Sequence, residues 1–462
     1  MSGARVTSDV SPGAGRNEVA PMERGVDLRG AISTNILNMV GIGPFLTIPL
    51  ALAAMGGPQA ILGWIAGALI SLCDGMVWAE LGSSMPLSGG PYYYLREAFG
   101  PLRLGSLVSF LFLWQTVLIG PISIASGAVG FAQYSRYLVP AMHGWQLPVL
   151  AAVVCLLNTV LLLRRIQSIN GLSIVISAIV LATTLGILIS GVIHFHPSLA
   201  FAFPPGAFHL SHPFFVGLGA ATLIAVYDYG GYYNVCMIGE EVRNPRRTIP
   251  RSILISIVLV AVLYLAMNIS ILGVIPWREA MHSDAIVALF IERLYGPLGA
   301  KISSVLILVA TFGSVFAILL GFSRVPYAAA GDGHFFKVFA RLHPRGGYPI
   351  VAVVTMGILS ALACIFSLSD LISMLIVVQT MLQFMLQCVA VMVLRKRAIG
   401  GSEAFRMPFF PLPALIALAG WTYIVVTSGA RYIEIGLALL LLGVAAFMLR
   451  SWRTQQWPFT TA

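Results

Sequence analysis

Gly41-Ile42-Gly43-Pro44 and Tyr227-Asp228-Tyr229-Gly230-Gly231-Tyr232-Tyr233-Asn234 each interrupt an apolar run long enough to cross a bilayer. In hydrocarbon every backbone N–H and C=O must be satisfied by the segment itself, so an unbroken helix is the cheapest way across. Glycine, proline and a carboxylate at mid-depth are tolerated only where the backbone is enclosed by protein or lines a wet cavity. The two stretches therefore mark helices that come apart inside the membrane.

The rest of the chain supports that setting. Its 462 residues are 58% hydrophobic and 10% charged, with a mean hydropathy of +0.91, against about 25% charged residues in a soluble domain. Such a composition leaves too little polar surface to face water. The alternating pattern of barrel strands is absent. The expected fold is all-α and integral to the membrane, with about twelve transmembrane helices. The spans fall roughly at 29–55, 59–85, 101–136, 146–163, 167–193, 213–241, 250–275, 299–330, 349–367, 369–394, 408–428 and 431–450. The interruptions thus fall in spans one and six, the first members of two five-helix halves. Paired broken helices in corresponding positions point to a transport site at a repeat interface.

The net charge of +10 is explained by its distribution. Of the 27 Lys and Arg, 22 lie on the side of the N-terminus and 5 on the other, the asymmetry that places basic loops in the cytoplasm. Both termini are expected there, with no role in nucleic-acid binding. Residues 1–24 read as a disordered cytosolic tail without a cleavable leader, 25–400 as a ten-helix core, and 401–462 as two further helices and a short tail. The segment 276–298 reads as a short helix on the outer surface. Cys73, Cys155, Cys236, Cys364 and Cys388 lie within spans and read as packing residues. No metal site or cofactor is expected, and the His residues of 194–212 read as loop residues. Paired catalytic carboxylates, HxxxH spacing and a phosphate loop are missing, so the chain does not read as an enzyme.

Where span one unwinds, the second half-helix would present free N–H groups from Ile42 onward and its positive dipole end to an anion. Carbonyls near Met39 to Gly41 would face an ammonium. A ligand with both groups one carbon apart, an α-amino acid, fits such a pair. Asp228 either faces the cavity, pairing with a cation or a proton, or caps the second half of span six. Asp74, in span two, is either a packing hydrogen-bond partner or a proton relay. Gln115, Gln133, Asn158 and Gln379 read as interhelical hydrogen-bond partners.

The chain resembles the amino acid–polyamine–organocation (APC) superfamily over about residues 28–450. The resemblance rests on Gly41-Ile42-Gly43-Pro44-Phe45, on Ala79 to Pro86 with Ser88-Gly89-Gly90-Pro91-Tyr92, on Gly239-Glu240-Glu241-Val242-Arg243-Asn244-Pro245-Arg246-Arg247, and on Ser323-Arg324 with Asp332-Gly333. It implies five-plus-five inverted repeats, two added helices, and secondary transport by alternating access at the plasma (inner) membrane. Carried over by position, Ile42 and Gly43 would meet a substrate carboxylate and Tyr227 would close over the substrate. Gly230 and Gly231 match the span-six break; Glu240, Glu241, Arg243 and Arg247 would belong to a cytoplasmic gate. Span five holds no lysine, and span eight offers only Thr311, Ser314 and Ser323 as hydroxyls, so proton, sodium and exchange all remain as coupling modes. The loop 136–147 has no cysteine, so no disulfide-linked subunit is expected. The leading substrate is an amino acid, and a polyamine or other amine is the alternative.

Overall fold

The computed structural model describes residues 24–40, 43–100, 104–163, 166–283, 285–333, 335–344, 346–397, 403–454 and 457–459. Gly41, Ile42 and nearly all of the N-terminal tail lie outside them. The described residues are helical through most of each apolar run and form no extended strand, only two isolated bridges, Val26 with Val242 and Ser88 with Ile238.

Asp27 starts the first helix, accepting a 2.8 Å hydrogen bond from the Gly30 N–H, as an N-cap does. That helix, α1 (Leu28–Met39), ends before the glycine turn, and α2 (Gly43–Met55) leaves at 43° to it. The next helices are α3 (Ile61–Ser84), α4 (Pro91–Phe99), α5 (Leu104–Ser135), α6 (Gln146–Leu162), α7 (Ile166–Ile193) and the short α8 (Pro197–Ala200). Span six begins as α9 (His212–Tyr229), capped by the Ser211 hydroxyl, and gives way at Gly230. Only one α-turn, α10 (Asn234–Met237), and a 3-10 turn (Gly239–Glu241) follow. The second half of span six is therefore much shorter than the run 213–241 suggested, and a single turn carries little dipole.

Beyond it lie α11 (Pro245–Leu272), α12 (Trp277–Ala280) and α13 (Ile286–Gly331). Within α13, Gly296 has φ 75°, ψ −178° and is followed by Pro297. The segment expected as a separate outer helix is continuous with span eight through this kink from Ile286 onward. Glycine suits that left-handed φ because it has no Cβ. The chain closes with α14 (Ile350–Ala363), α15 (Leu368–Gln379), α16 (Met385–Lys396), α17 (Leu412–Thr427) and α18 (Ala430–Thr454). A π-helical stretch, Thr380–Phe384, joins α15 to α16.

By length and composition, seven described helices can each cross a bilayer, and α1 with α2 do so as a bent pair; α6, α14 and α17 are shorter apolar helices. The chain is a multi-pass membrane protein. In the packing α3 lies against α9 and α11, α5 against α13, and α1 against α7, α11 and α13. The two broken elements are thus surrounded by other helices, the only setting in which bare backbone is tolerated at that depth. All five cysteines are buried and free of disulfides.

Candidate functional site

The end of α1 is fixed by aromatic side chains. The Tyr264 hydroxyl donates 2.7 Å to the Met39 carbonyl, and Trp64 packs edge-on against both Tyr264 and Tyr229. The Met39 carbonyl, expected to face an ammonium, thus already accepts one hydrogen bond. Ser314 of α13 donates to the neighbouring Asn38 carbonyl at 3.4 Å. Gly231, with φ 115°, abuts the Asn38 side chain, where a Cβ would come within 2.6 Å of its Cγ. The span-six break therefore rests directly on the end of α1. The freed N–H of Val235 is taken by Asn35 Oδ1 at 3.1 Å, so Asn35 supplies the cap considered for Asp228.

Asp228 lies in the last turn of α9 rather than within the irregular segment. Its side chain reaches across to the start of α2, where one carboxylate oxygen accepts the hydroxyl of Thr47, a turn on from Gly43. The other oxygen has no hydrogen-bond partner among the described residues. It sits over Gly43, so closely that an added Cβ would fall 2.0 Å from it. Gly43 is thus required by the carboxylate opposite, a reason not visible in the motif alone.

These groups enclose a cavity of about 70 Å³. Its walls include Asn38, Met39, Gly43, Ser126, Tyr227, Asp228, Gly230, Ser314, Gln379, Phe384 and Trp421. Of the expected site residues, Met39, Gly43, Tyr227, Asp228 and Gly230 meet here; Gly231 stands behind the wall against Asn38, and Gly41 and Ile42 lie outside the described residues. Tyr227 places its hydroxyl 3.3 Å from Ser126 Oγ. Gln379, read as an interhelical partner, lines the cavity instead, beside the π-helical stretch. Local π-helix is common at functional sites, but nothing in the sequence of span ten announces it.

Asp74 does not line the cavity. Its carboxylate accepts the Tyr232 hydroxyl at 2.5 Å, the Trp421 indole N–H at 3.1 Å and the Cys388 thiol at 3.8 Å. This geometry ties the span-six break to α16 and α17, and favours the packing reading. Tyr232→Phe is expected to destabilise the purified protein by about 1.5–3 kcal/mol, the range for a hydrogen bond to a charged group. A melting temperature equal to the parent's would show that Asp74 needs no such donor.

The basic face of the molecule is sealed. Arg324 at the end of α13 grips Glu241 with two hydrogen bonds, Nε–Oε1 2.6 Å and Nη2–Oε2 3.0 Å. The two side chains are 1% and 3% exposed. Around them Val26 pairs with the backbone of Glu241 and Arg243, and Gly89 N–H donates to Met237. Nearby, Arg96 holds Asp332 at 2.5 Å. Of the four expected gate residues, Glu241 is buried in this lock and Glu240 half-buried beside it. Arg243 and Arg247 are exposed, and the cation that meets Glu241 is Arg324, quoted from the sequence only as part of a family stretch.

On the opposite face a vestibule of about 800 Å³ reaches inward as far as Thr47, lined also by Gln133, Arg136 and Tyr137. At its rim Tyr137 donates 2.8 Å to Glu292. Burial, and then that hydrogen bond, push the Tyr137 hydroxyl up to about 12, so it stays a donor at neutral pH.

A glycine-broken first span facing an unwound sixth, around an enclosed cavity, defines a permease-type architecture. The amino acid permease family matches residues 30–448, and the chain belongs to that family, within the APC superfamily. Among relatives, the Bacillus subtilis serine/threonine exchanger SteT is 26% identical over 411 residues, covering 86% of this chain and 90% of its own length. The human cystine/glutamate transporter is 28% identical over 449 residues, or 94% and 86% of the two chains. The human large neutral amino acids transporter small subunit 2 is 30% identical over 358 residues, or 75% and 65%.

Proposed function

We propose that this chain is a secondary transporter of small amino acids or amines of similar size, working by alternating access in the plasma membrane. The observation that carries the reading is the cavity enclosed where the bend between α1 and α2 meets the end of α9. Relatives named as serine/threonine, cystine/glutamate and large neutral amino acid transporters support the class of cargo. The cavity, about 70 Å³, exceeds what a single water needs, so it has room for a small solute.

In this reading the apolar runs make twelve crossings, ten of them (residues 25–400) as two inverted five-helix repeats and two more within 401–462. Both termini are cytoplasmic in this reading, which the excess of Lys and Arg on that side supports. The sealed basic face and the open vestibule then correspond to a state accessible from outside. Glu241 with Arg324 forms the inner lock, with Glu240 beside it. Substrate meets Met39, Gly41, Ile42, Gly43, Tyr227, Asp228 and Gly230, with Gly231 supporting them. Coupling to a proton would engage Asp228, the cavity's charged group, ahead of Asp74.

Proteoliposomes containing the purified protein are expected to accumulate labelled alanine, serine or a small amine above protein-free vesicles. Uptake driven by a proton gradient, a sodium gradient or internal substrate would identify the coupling. If no labelled alanine, serine, leucine, arginine, small amine or spermidine accumulates under any of these drives, the transport reading fails.

A further inference from the structure

We infer that Asp228 makes this cavity selective for a small organic ammonium ion that carries no carboxylate. The inference rests on the transport reading above and names the substrate class of the same site.

Asp228 is the one charged side chain among the described residues of the cavity wall. It is 2% exposed, and its second oxygen has no hydrogen-bond partner among the described residues. A carboxylate so enclosed needs a cation or a proton from the cavity itself. Its position sharpens the point. One oxygen lies over Gly43 and the other holds Thr47, one helical turn further on. The protein's own carboxylate therefore lies along the first turn of α2, the turn whose N–H groups and dipole would otherwise receive a substrate carboxylate. In so small a space two carboxylates would stand at contact distance and repel.

The other walls also suit a cation. Trp421 spends its indole N–H on Asp74, away from the cavity, and stacks on Phe384 at 4.4 Å and 9°. Both residues line the cavity and bring no positive charge to it. The occupant is thus a small primary amine, with a neutral polar group where an amino acid carries its carboxylate.

Matched pairs test this directly. Alanine and alaninol, and serine and serinol, differ only in having a carboxylate or a hydroxymethyl group. They should be compared as substrates and competitors with the full-length protein in proteoliposomes at neutral pH. The amino alcohols are expected to bind about tenfold or more tightly than the amino acids, and Asp228→Asn is expected to weaken them about a hundredfold. Asp228→Glu, which keeps the charge, should keep the preference for alcohol over acid. Equal affinity, or preference for the amino acids, in the unaltered protein would overturn the inference while leaving the transport reading in place. That result would mean Asp228 accepts a proton when a carboxylate enters. Retained alaninol affinity in a folded Asp228→Asn protein would also overturn it. No uptake of any compound would instead remove the transport reading on which it rests.

Discussion

Replacing Arg324 with alanine is expected to unlock the basic face. Arg324 and Glu241 form a two-point fork with almost no exposure to solvent, and fork geometry makes such pairs strong and directional. Removing one partner leaves a buried carboxylate without compensation, at a cost of about 3–5 kcal/mol. Because the pair closes one side only, that cost falls on the state in which this side is shut, which loses population by a hundredfold or more. Hydrogen exchange at 238–242 and 323–326 should rise sharply and uptake should collapse. Converting both residues to neutral glutamine should restore more of the closed state than either single change, since no lone charge remains. If Arg324→Ala left exchange in these segments unaltered, the pair would not be the lock.

Gly43→Val is the second large effect. The first atom of any side chain at this position meets Asp228 Oδ1 at 2.0 Å and Cγ at 3.0 Å, with Tyr227 at 3.6 Å. Asp228 has little room to retreat, because Thr47 holds its other oxygen and the residue is buried. The carboxylate must be expelled from its place, and substrate binding should fall by about a hundredfold, the penalty of losing a buried charged partner. The change is local, so melting should shift by only a few degrees. Gly43→Ala combined with Asp228→Ser should regain space but not affinity, separating the steric part from the charge. Unaltered affinity in Gly43→Val would show that substrate does not bind at this turn.

Much of the fold could be read from residues because the bilayer makes one demand repeatedly. Every run of about twenty apolar residues must be helical, and each apolar run found in the sequence does carry helix. The break in span one was visible for the same reason: Gly43-Pro44 at mid-depth has no purpose in a plain span. Asp228 stood out because a carboxylate there is costly. What could not be read was pairing across distance. Nothing local links Thr47 to Asp228, Asn35 to the Val235 N–H, or Arg324 to Glu241, since each contact follows from helices crossing far apart in the chain. Arg243 and Arg247 were expected at the gate from the family resemblance; both are exposed, and the helix that begins at Pro245 carries the second into solvent. The π-helical stretch in span ten is likewise a product of packing, as Thr380 to Phe384 are unremarkable in composition.

The hydrogen bonds gathered on Asp74 have a consequence for the last part of the chain. Trp421 belongs to α17, yet it both serves Asp74 and forms part of the chamber wall. A shortened protein ending near residue 400 would lose that wall and leave a buried carboxylate with one donor fewer. The final helices are therefore not detachable ballast around a self-sufficient engine; through Asp74 they are fastened to the break in the sixth span.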